Sequence, residues 1–449
     1  MPLAATPTFK LTPSQEKRAL AQNYITNFDY LSQYLPDTYN KEFSRFGNRT
    51  ISGMLEQLSG EFSYSSDLIK WSEEGRLHTA YIDVSKGSGT NVLTKVAHVF
   101  RANETVIVSD GTTEVKGFIQ SVTADTFTVL PYLTVGWGTM NITNLTNLRV
   151  FVFGSEFRKG TNGMVGSLEA QTEIFQNSGI ILKELYEVNG SDMAQIGWIE
   201  VTDESNGQTG YLWYLKSKSD TVLRFSDKLE MSCIEGVLAT NSALTGVAKG
   251  TEGLFAAIQN RGNVFDGQMT TIADFDATID RLNKQGSIEE NMMYLSTPQD
   301  RAIDTMLAGQ NPHFSGGVSW GAFDNKEDMA LTLGFQGFKR SGYNFYKTTW
   351  KYLNGATTRG LAATGGVHGL IAPSGTKSIY DEILGSSVKL PFLHVKYRKS
   401  ATEDRKYKTW LTGSAGGANT SDLDALQVNF LSERMLCSLG VNNFVQIKG

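Results

Sequence analysis

The chain has 449 residues, of which 40% are hydrophobic, 19% are charged and 45 are glycine, and its net charge is -5. At ~100–200 residues per domain this length predicts about two to four domains or subdomains. The charged share lies below the ~25% of ordinary soluble domains, which suits either a plain β-rich fold or a protein that hides surface in subunit contacts. Avid nucleic-acid binding is not indicated, because Lys and Arg form no dense run. No stretch of ~18 apolar residues suggests a membrane span, and Met1 to Lys10 lacks the basic and apolar regions of a signal peptide. Cys233 and Cys437 make neither a disulfide framework nor a zinc site, and a reducing compartment is the simplest reading. Without a secretion signal, the Asn-x-Ser/Thr matches at Asn48, Asn103, Asn141 and Asn144 are read as chance.

Thr12-Pro13-Ser14-Gln15 has the pattern of a helix start, with Thr12 as cap, Pro13 in the first turn and Gln15 reaching back. Tyr24, Phe28, Leu31 and Leu35 follow at helical spacing on one face, and Pro36 ends the run. Such a stripe has to be buried, either on its own domain or on a neighbouring subunit. A short helix is predicted over Thr50–Leu58, ended by Gly60, and Trp71 to Arg76 reads as a polar turn with one large anchor.

From Thr79 the periodicity changes to two. Val106 to Ser109 leads into Asp110-Gly111, a two-residue hairpin signal, and Gly117–Val122, Thr126–Leu130 and Asn147–Phe153 follow as strands. Strands this short must curl or pack, so a small barrel or sandwich is expected. Helices return after Gly166. One is predicted to begin at Ser226-Asp227 with a stripe of Leu229, Cys233, Ile234, Val237 and Leu238. The next is capped by Thr271, places Ile272, Phe275, Ile279 and Leu282 in line, and ends at Gly286. Another opens at Thr297-Pro298, buries Ile303, Met306 and Leu307, and ends at Gly309. The stretch from about 310 to 375 reads as loop-rich, with Gly316-Gly317, Gly365-Gly366, Gly369 and Gly375 favouring turns.

Reactive side chains do not gather anywhere. His78, His98, His313, His368 and His394 show no i,i+2 or i,i+4 pair, so no local metal signature exists. His368 stands in a glycine-rich stretch and reads as a loop histidine. Gly369 to Ser378 departs from a phosphate loop in spacing, and Pro373 removes an amide from the cradle. A Gly-x-Ser-x-Gly elbow is absent. The aromatics Tyr343, Phe345, Tyr346, Trp350 and Tyr352 suit core or interface. Lys396 to Lys408 is the most basic stretch, diluted by Glu403 and Asp404, and reads as a solvated hairpin. In the β-rich block Asp110, Glu114, Phe118 and Phe127 are the only candidates for a glycan or enzyme site, at spacings typical of turn and core. No catalytic, cofactor-binding or metal-binding residue is therefore assigned.

Val428 to Cys437, a turn at Gly440 to Asn443, and Phe444 to Ile447 resemble the final strand pair of the peripheral domain in tailed-phage major capsid proteins of the Hong Kong 97 type. The order of earlier parts is similar, and by position the helix near Ser226 resembles the spine helix. Phe153 to Gly160, with Asn177, Ile180 and Lys183, resembles the path back to that helix. Arg45-Phe46-Gly47-Asn48, Trp71-Ser72-Glu73-Glu74 and Leu390 to Val395 look most like capsid proteins of crAss-like phages.

The resemblance implies an α+β fold of five parts. These are an N-terminal arm over 1–60, an extended β arm with the barrel or sandwich insertion over 61–165, and a peripheral domain with spine helix over 166–240. An axial domain over 241–415 and a return to the peripheral domain over 416–449 complete it. The insertion departs from the family's simple hairpin arm. The implied function is a major capsid protein whose pentamers and hexamers tile an icosahedral shell around packaged DNA. Assembly in the bacterial host cytoplasm is implied, with scaffold, portal and decoration or auxiliary proteins as partners, no cofactor, no membrane and no specific grip on DNA. Tyr24, Phe28, Leu31 and Leu35 are the candidate subunit contacts. The alternatives are a tail or baseplate component, or a carbohydrate-binding module or enzyme on the β-rich block.

Overall fold

The computed structural model describes residues 53–87, 91–133, 146–169, 171–195, 200–202, 209–244, 248–309, 337–355, 357–361, 366–381, 386–417 and 419–449. The expected N-terminal helix with Tyr24, Phe28, Leu31 and Leu35 lies outside them, as does Arg45 to Asn48. The chain divides into two compact units, Met1–Ile69 with Gln176–Gly449 and Lys70–Phe175.

Among the described residues the first unit opens with α1 (Met54–Leu58) and β1 (Ser59–Tyr64). Gly60 does not end the helix as expected. It lies within β1, where an added Cβ would come within 2.7 Å of the Phe62 ring.

The second unit holds most of β2 (Leu68–Glu74) and β9 (Thr172–Ser178), and between them β3 (Ala80–Lys86), β4 (Val92–Thr94), β5 (Glu104–Ser109), β6 (Glu114–Val122), β7 (Thr126–Pro131) and β8 (Leu148–Ser155). Six strands close a barrel in the order β3-β4-β7-β6-β5-β8, so of the two expected shapes the barrel forms. Alternation along each strand sends one set of side chains inward. Val84, Leu93, Val106, Val108, Ile119, Phe127, Val129, Leu148 and Val150 fill the interior. Closure removes the free edges that strands this short would otherwise leave.

Two local expectations fail in this unit. β5 and β6 are joined by a loop of Asp110, Gly111, Thr112 and Thr113, longer than the two-residue turn that Asp-Gly suggests. The Asp110 carboxylate shapes it by accepting from the N–H groups of Thr112 at 2.9 Å and Thr113 at 2.8 Å. Trp71 to Glu74 is not a turn but part of β2, which pairs with β9. The strand's partner lies about a hundred residues on, where a local reading does not look.

The first unit resumes with β10 (Ile180–Asn189), α2 (Gly190–Gln195), the ribbon of β11 (Glu200–Thr202) and β12 (Thr209–Tyr211), and α3 (Leu212–Glu235). Strands, not helices, therefore follow Gly166 first. Ser226-Asp227 lies half-buried in mid-helix, because a good capping pair is also tolerated within a helix. Leu229, Cys233 and Ile234 are buried as expected, whereas Val237 and Leu238 fall past the helix end and Val237 is exposed.

Then come α4 (Leu254–Arg261), β13 (Asn263–Asp266), α5 (Ile272–Gln285), β14 (Glu290–Leu295), α6 (Thr297–Gly309), β15 (Gly337–Arg340), β16 (Tyr343–Thr349), α7 (Lys351–Asn354) and β17 (Val367–Pro373). The last four lie inside the stretch read as loop-rich. Buried Tyr343, Phe345, Trp350 and Tyr352 are core there, while Tyr346 is exposed. α5 and α6 stand where the sequence places them. Thr271 and Asp274 form a capping box and Gly286 takes a left-handed φ of 68°.

The chain closes with β18 (Thr376–Asp381), β19 (Ser386–Pro391), β20 (Leu393–Arg398), β21 (Lys408–Gly413), β22 (Ala425–Ser438) and β23 (Val445–Lys448). One sheet runs β1-β20-β22-β10, with β21 also on β22. β20 and β21 are both antiparallel to β22, on successive stretches of it, and between them Lys396 to Lys408 makes the expected solvated hairpin, with Lys399 bridged antiparallel to Asp404 and the Arg405 N–H donating to the Arg398 carbonyl at 3.0 Å. α3 covers this sheet through Phe225 and Leu229 against Val428 and Phe430. A second sheet runs β13-β23-β17-β14-β16-β15 and packs α5 and α6 around Phe275, Ile279, Leu282, Ile303 and Ile371.

Candidate functional site

The histidines lie on separate elements. His98 touches the rings of Phe100 and Phe127 in the barrel. His394 is buried in β20, edge-on to Phe62 at 4.9 Å, and burial, helped by nearby Lys396, pushes its pKa down to about 4. His368 is in β17 beside Gly449, His78 is exposed, and His313 lies outside the described residues. Among the described residues, no group of three or more His, Cys, Asp or Glu side chains has the placement to hold a metal ion. Cys233 is buried in the core of the first unit, and desolvation raises its thiol pKa to about 11. A thiol held neutral in this way is a poor nucleophile.

The phosphate-loop look-alike resolves into structure. Gly369 to Pro373 lies in β17, with Leu370, Ile371 and Ala372 buried and the backbone paired to β14. Strand pairing leaves no cradle of free amides there.

The most basic stretch is matched by acids. Buried Glu433 holds Arg398 at 3.0 Å and Arg405 at 2.8 Å, Glu403 holds Lys408 at 2.9 Å, and Asp404 holds Lys399 at 3.0 Å. Arg398 also meets Asp67, and Lys406 meets Glu61. Neutralised in this way, the segment presents little net positive charge to a phosphate backbone.

What the described residues offer is apolar surface that no other described residue covers. In the β2/β9 ribbon Leu68 and Ile174 are exposed, Ile174 by 70%. A two-stranded ribbon is marginal in water by itself. On the barrel exterior, register sets Ile107 between Phe151 and Lys116, and Phe118 beside Leu130. Phe151 and Phe153 are 42% and 48% exposed, and Leu130 and Tyr132 continue the stripe. On β10, Ile181 and Leu185 are 54% and 47% exposed. They point to the face opposite Leu182 and Tyr186, which pack toward α3.

Sequence reasoning missed these surfaces. Phe151 and Phe153 alternate with Val150 and Val152, so both faces of β8 look apolar and the solvent side is ambiguous until the barrel closes. The four expected contact residues, Tyr24, Phe28, Leu31 and Leu35, lie outside the described residues. Of the residues considered for a glycan or enzyme site, Phe127 is buried inside the barrel, and Asp110 serves its own loop.

No family model matches the chain, and no curated protein matches it. Solved structures similar to it include chains from phages. It is similar to a chain of the capsid structure of the Cyanophage P-SCSP1u, at 9% identity over 98% of this chain and 98% of that one, with a TM-score of 0.42. A chain from Mycobacterium phage Ogopogo is similar at 9% identity over 93% and 98%, with a TM-score of 0.44. A chain in the asymmetric unit of the bacteriophage PhiM1 mature capsid is similar at 8% identity over 92% and 91%, with a TM-score of 0.43.

Proposed function

We propose that this chain is a major capsid protein of a tailed phage, of the kind found in crAss-like phages. Its copies form pentamers and hexamers that tile an icosahedral shell around packaged DNA. The observation that carries the reading is the β2/β9 ribbon, two strands that expose Leu68 and Ile174 and so need a neighbouring copy to cover them. On this reading the ribbon and barrel form the extended arm, α3 is the spine helix, and the β22 sheet belongs to the peripheral domain. The sheet around β14 and β17 belongs to the axial domain. Head-to-tail contacts that close into rings generate the capsomers.

Each exposed apolar patch is worth about 25 cal/mol per Å² when covered, before the cost of association. Repetition over a shell makes weak single contacts sufficient. The matched charges around Glu433 suit a subunit that stands near DNA without gripping it. Scaffold, portal and decoration or auxiliary proteins are the expected partners, with assembly in the host cytoplasm and residence in the virion.

Negative-stain electron microscopy of the chain, alone and with a candidate scaffold, tests the proposal. Closed shells, or isolated pentamers and hexamers, are expected. Tubes or fixed small rings would instead assign a tail or baseplate component, and a monodisperse monomer under both conditions would overturn the reading.

A further inference from the structure

α1 has no cap of its own. Gly53, at the N-cap, makes no side-chain hydrogen bond and has a φ of 128°, a conformation that favours glycine. A helix this short does not hold itself in water. Its free N–H groups are met from far along the chain. Glu230 Oε2 accepts from the Gly53 N–H at 2.5 Å, and Oε1 accepts from the N–H groups of Met54 at 2.8 Å and Leu55 at 3.1 Å. Met54 and Leu55 are themselves buried against a cluster that includes Cys233, Ile234 and Leu254. Burial pushes the Glu230 carboxyl pKa up, and the three N–H bonds offset only part of that rise. What places the carboxyl group is the geometry of those three bonds.

We propose that Glu230 is the latch that fixes α1 and the backbone turn at Gly53 to α3. The carboxylate holds the first amides of α1, and Gly53 supplies the bend. The latch sets the backbone direction at Gly53, which burial of Met54 and Leu55 does not, since side-chain packing acts beyond that residue. The latch does not depend on the capsid reading.

Hydrogen exchange of the full-length, unassembled chain tests it at the amides of Gly53, Met54 and Leu55. In Glu230→Ala all three should exchange about tenfold faster or more, the loss expected for bonds to a charged acceptor, with β22 amides unchanged. Glu230→Gln keeps one oxygen for Met54 and Leu55 but turns an NH2 group towards Gly53. It should therefore speed the Gly53 amide selectively. Unchanged exchange of the three amides in Glu230→Ala would overturn the latch. If Glu230→Ala also loses β22 protection, Glu230→Gln decides: a fast Gly53 amide supports the latch and a protected one overturns it. Because the measurement precedes assembly, the latch can fail while shells still form, and hold where no shell forms.

Discussion

Asn177 ties together three stretches of the first unit. Its Nδ2 donates to the carbonyls of Glu252 at 3.0 Å and Leu436 at 2.6 Å, and its Oδ1 accepts from the N–H groups of Ser178 and Glu252, both at 2.8 Å. The side chain is fully buried, so Asn177→Ala strands several backbone groups away from water. That should cost about 3 kcal/mol, read by chemical denaturation of the intact chain. His394 makes a second prediction at this scale. Its folded pKa is about 4 against an ordinary 6.5, so between those values the unfolded chain binds more protons and stability falls as pH falls. The contribution is about 2 kcal/mol between pH 7 and pH 5. His394→Leu should narrow the difference in Tm between those two pH values.

Among the elements, α5 is the one most completely written in local sequence. Thr271→Ala removes the acceptor for the Asp274 N–H and should cost about 1 kcal/mol, seen as faster amide exchange in the first turn of α5. Thr271, Asp274 and Gly286 all act within one helix, which is why the pattern was legible. α3 shows the opposite case, since Ser226 and Asp227 make an equally good capping pair but lie in mid-helix. β2 was misread for a different reason. A strand with polar residues on alternate positions and its partner on β9 gives a local pattern no different from a polar turn. The hairpin between β20 and β21 was legible from its mixed charges, but not that both strands line up along β22, where the long strand between Ala425 and Ser438 has room for both. The apolar surfaces were hidden on the same grounds, since alternation gives two faces and only closure of the barrel says which is outside.

For the molecule as a whole, two cores built from separate residues allow one chain to carry a body and an appended barrel. The reading as a shell protein makes the leading segment, beside the β2/β9 ribbon, a part proposed to act between copies. Substituting Tyr24, Phe28 and Leu31 together by Ser should block assembly while leaving a soluble, folded subunit, as judged by circular dichroism and electron microscopy. Normal particles from that variant would remove those residues from any role between subunits.

β23 lies inside its sheet, between β13 and β17, although the strands of the first sheet separate it from both in sequence. Until Val445 to Lys448 insert, β13 and β17 have a gap between them. Filling it is a long-range pairing, and such pairings form slowly because loop-closure entropy is lost before the contacts reward it. The second sheet is thus completed late in folding, however early its helices form.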